Sequence, residues 1–171
     1  MSLYHAAVVQ NVKMLRNLGR WLDDAEAYAK EREFDPEVLL QARLYPDQFA
    51  LLRQVQSACD SAKLAAHRLA GKDAPKHEDT ETTLAELRAR IDSAASSVEK
   101  LTEADFGGAA ERVIKLPFLP EGKVISGANY FDEFGQPNFY FHVCMSYAIL
   151  RHNGVKLGKR PYIGGMTLDD A

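Results

Sequence analysis

The stretch Pro137-Asn-Phe-Tyr-Phe-His-Val-Cys-Met-Ser-Tyr-Ala-Ile-Leu-Arg-His-Asn-Gly154 decides how the rest of the chain is read. A proline at its start and an Asn-Gly pair at its end bracket a predicted helix of roughly five turns. Asn138, His142, Met145, Ile149 and His152 recur at steps of four and three, so they share one stripe of that helix. The flanking Phe139 and Val143 turn the stripe inward. A histidine placed there needs hydrogen-bond partners. The plain reading of His142 is a satisfied core residue; the chemical reading is a metal ligand or a base. His152, ten residues on, is about 15 Å away along the axis and cannot share an ion with His142. In the last turn it is a cation favoured by the helix dipole.

The preceding segments supply amphipathic partners for such a helix. From about Leu3 to Lys30, apolar residues Tyr4, Val8, Val12, Leu15, Leu18, Leu22 and Ala25 recur every three or four positions. Lys13, Arg16, Arg20 and Asp24 mark the solvated side, and Trp21 reads as a core-edge aromatic. Asp35-Pro36 is an N-cap followed by a first-turn proline, giving a short helix to about Ala42. A second long helix is predicted from about Asp47 to Leu69, with Phe49, Leu52, Val55, Cys59, Ala62, Ala66 and Leu69 inward and Gly71 as its stop. Gln56 and Asp60 flank that stripe on one side. His67, among Lys63, Arg68 and Lys72, reads as surface, and His77 as a loop residue. Thr83 and Glu86 have capping-box spacing. They open a third helix whose stripe is Leu84, Leu87, Ile91, Ala94, Val98 and Leu101, ending at Asp105–Gly108.

Residues 109–135 differ. Arg112–Leu116 and Lys123–Ser126 are short and rich in β-branched residues, with Pro117–Gly122 between them, which suggests a small hairpin. The segment serves as the long crossover before the last helix. After Gly154 the predicted tail packs back through Leu157, Tyr162 and Ile163. Four long amphipathic helices with such a crossover imply an all-α, antiparallel four-helix bundle in one domain, residues 1–171.

Composition narrows the function classes. The net charge of −3 and the absence of any Lys/Arg run give no electrostatic case for nucleic acid. No apolar run approaches the ~18 residues of a membrane span. Cys59 and Cys144 sit in apolar helical contexts and read as buried free thiols. Without a disulfide framework or a visible signal peptide, the expected compartment is the cytoplasm. No Ser/His/Asp or Cys/His arrangement is present.

Several phrases of the chain resemble one family. Met1-Ser-Leu-Tyr4, Arg43-Leu-Tyr-Pro-Asp47, Arg53-Gln-Val-Gln56, Asp79-Thr-Glu-Thr82, Pro137-Asn-Phe-Tyr-Phe-His142 and Ala148-Ile-Leu-Arg-His-Asn-Gly-Val155 resemble the DUF1993 family, a branch of the DinB/YfiT-like superfamily. The likeness runs over almost the whole chain. It implies a four-helix bundle, often a homodimer, and a divalent-metal site (Zn, Ni or Mn) of the kind used by bacillithiol and mycothiol transferases and maleylpyruvate isomerase. The superfamily's signature is one histidine on the second helix and a His-x-x-x-His pair on the fourth. Here the four-residue neighbours of His142 are Asn138 and Ser146, and the second helix offers only Gln56 and Asp60 at its middle.

The expected binding residues are therefore His142, Asp60, Gln56 and Asn138, with His142 as the metal position. Two functions follow. One is a dimeric small-molecule-binding protein or one with a vestigial site. The other is a metal-dependent transferase or isomerase acting on a small thiol or electrophile. Exposed aromatics at Tyr28, Tyr45, Phe118 and Tyr162 are expected to mark the dimer surface.

Overall fold

A computed structural model describes residues 2–168. Helix accounts for 63% of it and strand for 2%, so helix well exceeds the half that the periodicities imply. The long helices are α1 (Asn11–Glu31), α2 (Leu51–Ala70), α3 (Leu84–Glu99) and the rod formed by α4 (Gly127–Tyr130), a π-helical turn (Phe131–Gly135) and α5 (Gln136–His152). A π-helical turn at His5–Gln10 leads into α1. The hairpin is two residues per strand, β1 (Val113–Ile114) and β2 (Ile125–Ser126), antiparallel with Val113 opposite Ser126.

Packing places α2 against α5 and α3, and α1 against α3 and α5. Direction follows from the cross-contacts. Gln54 meets His142, Ser61 meets Asn138 and Arg68 meets Tyr130, so α2 and the last rod are antiparallel. Arg16 pairs with Asp92 and Glu99 while Arg88 pairs with Asp23 and Glu26, so α1 and α3 are antiparallel too. α2 and α3 run the same way. The polar stretch 71–83 must therefore travel back along α2 as the lengthwise crossover, whereas the long connection before the last rod, where the sequence suggested it, joins antiparallel helices at one end of the bundle. The apolar stripes meet in one core, with Leu15, Leu18 and Leu22 facing Val55, Ala62, Ala66, Leu87, Ile91, Phe139 and Val143, all essentially inaccessible.

Local chemistry sets the ends. Gly71, in the left-handed conformation (φ 67°), closes α2, with the Lys72 N–H on the His67 carbonyl and the Gly71 N–H on that of Arg68. The Thr83 hydroxyl accepts the Glu86 N–H at 3.1 Å, and the Glu86 carboxylate accepts the Thr83 N–H in return. Asp35 caps the short 3-10 turn Pro36–Gln41 as its spacing suggested.

Four boundaries or burials depart from the sequence reading. α2 begins at Leu51, whose N–H is taken by the Ala42 carbonyl, so Phe49 stands outside the helix and is exposed. α3 stops at Glu99, and Thr102 with Asp105 caps a separate turn, Glu103–Phe106. His67 is buried, its Nδ1 2.9 Å from the Lys63 carbonyl, and Trp21 lies in the core rather than at its edge.

The largest departure is the start of the last helix. Ser126, not Pro137, caps it, its hydroxyl accepting the Asn129 N–H. Pro137 lies inside the rod because the turn before it is π: the Gln136 N–H bonds the Phe131 carbonyl five residues back. That widened turn gives the proline ring room that a regular α turn denies it. At Gly127 an added Cβ would sit 1.9 Å from the Ala109 carbonyl oxygen, so the crossover reaches the rod only because the residue there is glycine.

Candidate functional site

On α2, three neighbouring stripes face three ways. Val55, Cys59, Ala62, Ala66 and Leu69 point to the core. Gln56, Asp60 and Lys63 lie toward α3. Gln54, Ser61 and Arg68 lie toward α5. Between that last stripe and the rod runs a cavity of about 260 Å³. Its α2 wall is Arg53, Ser57, Asp60, Ser61, Leu64 and Arg68; its other wall is Tyr130, Phe134, Gly135, Asn138 and His142; Pro117 and Phe118 of the crossover form its rim. The π turn thus lies in the wall of the cavity. At Gly135 the two helices are close enough that an added Cβ would make van der Waals contact with that of Ala65, at 3.4 Å.

His142 is buried at one end. Its Nδ1 lies 2.8 Å from Oε1 of Gln54, whose own amide donates to the Phe49 carbonyl at 3.2 Å. Burial, helped by the nearby Arg53 charge, pulls the imidazole pKa below its ordinary value. Asn138 donates to the Ser61 hydroxyl at 2.7 Å, and that hydroxyl donates to the Ser57 carbonyl at 2.7 Å. At the far end Arg68 donates to the Tyr130 hydroxyl at 3.0 Å.

The expected residues therefore separate. His142, Asn138 and Asp60 line one cavity. Gln56 does not: it donates to Glu81 at 2.8 Å on the α3 side. The partner of His142 is Gln54 rather than Gln56 or Asp60, because two residues on a helix is a step of about 200°. Asp60 is held by Lys63 at 2.9 Å and Arg90 at 3.1 Å. The polar residues that sequence reasoning missed, Gln54, Ser61 and Arg68, sit seven apart on the α5-facing stripe, and that spacing was the available signal. His142→Ala is expected to cost about 1–3 kcal/mol in urea denaturation, because it leaves the Gln54 carbonyl oxygen without its donor beneath α5.

The metal that the family likeness implies does not fit this donor set. Among the described residues no three His, Cys, Asp or Glu side chains come together as a ligand group. His142 has its Nδ1 engaged by an amide, and its neighbours along the rod are an amide and an aliphatic hydroxyl rather than further imidazoles. Cys59 is not a substitute nucleophile, since complete burial pushes its thiol up to about 12. Cys144 is half-buried, its sulfur 3.1 Å from the Tyr162 hydroxyl.

Beside the cavity, between α2, α3 and the 71–83 crossover, lies a second polar cluster. Arg90, with its side chain 1% exposed, reaches Asp60 at 3.1 Å, Asp79 at 2.9 Å and Glu81 at 3.0 Å. Arg53 also pairs with Asp79. Lys63 contacts His77 Nδ1 at 2.9 Å, and His77 Nε2 meets the Ser93 hydroxyl at 2.9 Å, so His77 pins the crossover rather than dangling in it. For Asp79, burial opposes ionisation, but Arg53 and Arg90 outweigh it and hold the carboxyl below its ordinary range. For Glu81, burial is likewise outweighed by the Gln56 and Arg90 hydrogen bonds. Both folded-state pKa values are depressed, so their contribution to stability is present above the ordinary carboxylate range near pH ~4 and is lost as pH falls below it. Chemical denaturation at a series of pH values is expected to show stability declining from about pH 5 downward. It is also expected to show proteolytic sensitivity appearing first in 71–83.

An α-helical bundle with one lengthwise crossover, a second long connection at one end and a groove between its second and last long helices is the class that the fold defines. The family model described as domain of unknown function (DUF1993) matches residues 3–163, and the chain belongs to that family. It is also similar to a crystal structure of a DinB family member protein from Shewanella denitrificans. The identity is 49%, over 99% of this chain and 96% of that one, with a TM-score of 0.95. No curated protein matches the chain. Among the described residues no helix is long and apolar enough to cross a membrane.

Proposed function

We propose that the protein binds a small molecule in the groove between α2 and α5, without a metal held by the chain, and that it works as a cytoplasmic homodimer. The observation that carries this reading is the groove itself. It is a cavity of about 260 Å³ with two serines on its α2 wall and a buried imidazole and an amide on the rod beside aromatic side chains. That mix of apolar surface and a few fixed polar groups is what small-molecule sites share. His142 and Asn138 supply the contacts along α5, and Asp60 reaches the wall from α2. Gln56 contributes indirectly, donating to Glu81 and accepting from Arg53 of the cavity wall.

The test uses Ser57→Phe, which places a ring in the cavity and leaves both residues of the His142–Gln54 pair unchanged. Small-molecule ligands found by thermal shift are expected to raise the melting temperature of the unaltered protein and not of this variant. Equal shifts in both proteins overturn the reading. Metal analysis of protein purified without chelator or nickel resin is expected to find far less than one ion per chain; a stoichiometric ion overturns the metal-free part. The dimer is supported by exposed aromatics: Tyr45, Phe49, Phe118 and Phe141 stand in solvent, whereas Tyr28 and Tyr162 are half-buried. Light scattering at tens of micromolar, a rough range for a stable interface, is expected to give twice the chain mass. A monomer overturns that part.

A further inference from the structure

We infer that the groove is built for a small organic anion with a hydrogen-bond donor at its other end, the anion meeting Arg68 and Tyr130 and the donor meeting Nε2 of His142. This rests on the binding reading above and names the chemistry of its ligand.

The His142 end is fixed by elimination. The Phe49 carbonyl can only accept, so the Gln54 group facing it is the NH₂, and the group facing His142 is the carbonyl oxygen. A carbonyl oxygen at 2.8 Å requires the proton on Nδ1. In the neutral ring Nε2 then carries a lone pair. No protein donor meets that nitrogen among the described residues, and the ring lines the cavity. Burial and the Arg53 charge both disfavour a second proton. This end of the groove is therefore an acceptor awaiting a donor.

The other end is a cation without a counter-charge. Asp60, the carboxylate in the cavity lining, is already engaged by Lys63 and Arg90, and the acids behind it are engaged too, Asp79 by Arg53 and Arg90 and Glu81 by Arg90. Those three carboxylates balance the three cations Lys63, Arg53 and Arg90. Arg68 is outside that balance; among the described residues no carboxylate pairs with it, and its partner is the Tyr130 hydroxyl. Since Arg68 donates to that oxygen, the tyrosine keeps its own proton for a second bond to an anion. Between the two ends lie Leu64, Phe134 and Phe118, an apolar stretch suited to a ring or a short branched chain. Gln54 and Arg68, which mark the two ends on α2, are about 21 Å apart along the axis at ~1.5 Å per residue. Helix side chains lean toward their own N-terminus, so in these antiparallel helices Arg68 and His142 reach toward each other and leave a gap for one ring with a short acidic arm.

The probes are 4-hydroxyphenylpropionate, its methyl ester, its 4-methoxy ether and tyramine, titrated by calorimetry and by NMR of protein labelled with nitrogen-15 in histidine. The acid is expected to bind at least ten-fold more tightly than the other three and to shift Nε2 of His142, which starts unprotonated. Arg68→Met is expected to reduce the affinity for the acid to that for the ester and to leave the ester unchanged. Gln54→Leu, which frees the ring to take its other tautomer, is expected to erase the preference of the hydroxyl over the methoxy compound. If acid, ester and amine bind alike, Ser57→Phe still abolishes binding and Arg68→Met changes nothing, the ligand class is overturned while the groove remains a binding site. If none of the probes moves the His142 signals and no small molecule distinguishes Ser57→Phe, both fall.

Discussion

Arg90→Met is expected to lower the unfolding free energy by about 3–5 kcal/mol, the range seen when one partner of a buried charge cluster is removed. The side chain is 1% exposed and is shared by Asp60, Asp79 and Glu81. It also donates to the Glu78 carbonyl at 3.0 Å, so it grips the backbone of the crossover as well as its carboxylates. Methionine keeps most of the stem's volume, so the loss is electrostatic rather than a cavity. The three carboxylates would then face one another with only Lys63 and Arg53 left nearby, and each would have to protonate, repel or move into solvent. Urea denaturation at pH 7 measures the loss, and limited proteolysis should find the 71–83 stretch cut first. A change below about 1 kcal/mol would mean the cluster behaves like a solvent-screened surface network.

Trp21→Ala is the second large effect, about 3–5 kcal/mol for a buried tryptophan. Trp21 is stacked on Tyr162 with ring centroids 5.6 Å apart and planes 17° apart, and it meets Tyr147 edge-on at 5.6 Å. Its indole N–H donates to the Pro161 carbonyl at 3.1 Å, and Asn17 donates to the Tyr162 carbonyl at 2.8 Å. The short helix α6 (Lys159–Ile163) therefore rests on Trp21 and Asn17, with Tyr147 and Cys144 of α5 holding Tyr162 from the other side. Removing the indole should release α6 before the bundle melts. Trypsin is expected to cleave after Lys159 in the variant under conditions where the parent stays intact. Trp21→Phe should fall between the two, since it keeps an aromatic face and leaves the Pro161 carbonyl without its donor.

Much of the bundle could be read from the chain because helix stripes are local. Leu84, Leu87, Ile91, Ala94 and Val98 need only the 3.6-residue period to be assigned inward, and Thr83 with Glu86 declares a helix start within four residues. What was not legible depends on which neighbour each side of a stripe meets. Gln56 and Asp60 flank the apolar face of α2 by spacing alone, but only the ring order of the helices turns that flank toward α3 and gives the α5 side to Gln54, Ser61 and Arg68. His67 reads as surface among its basic neighbours, yet its ring is tied back to the Lys63 carbonyl. The same limit hid the charge cluster: Arg53, Asp60, Asp79, Glu81 and Arg90 are ordinary surface residues one by one, and only the parallel run of α2 and α3 gathers them. Pro137 misled for a different reason. Proline is a strong start signal, and nothing local to it announces a widened turn upstream.

That widened turn also decides which way the rod presents its side chains. Tyr130, Phe134, Asn138 and His142 all line the cavity, yet they are spaced by four, and in a regular α-helix each such step overshoots a full revolution by about 40°. Three steps would carry His142 about 120° away from Tyr130, onto a different neighbour. A ring closed from residue i to i+5 absorbs one residue more than an α ring and so takes back about 100° of that drift. The single surplus residue in Phe131–Gly135 acts as a phase corrector, holding the two ends of the groove in angular register across twelve residues. Deleting one of its exposed residues, Asp132 or Glu133, would leave a continuous helix and keep the core beneath α5, but it would rotate Tyr130 and its Arg68 contact out of line with His142.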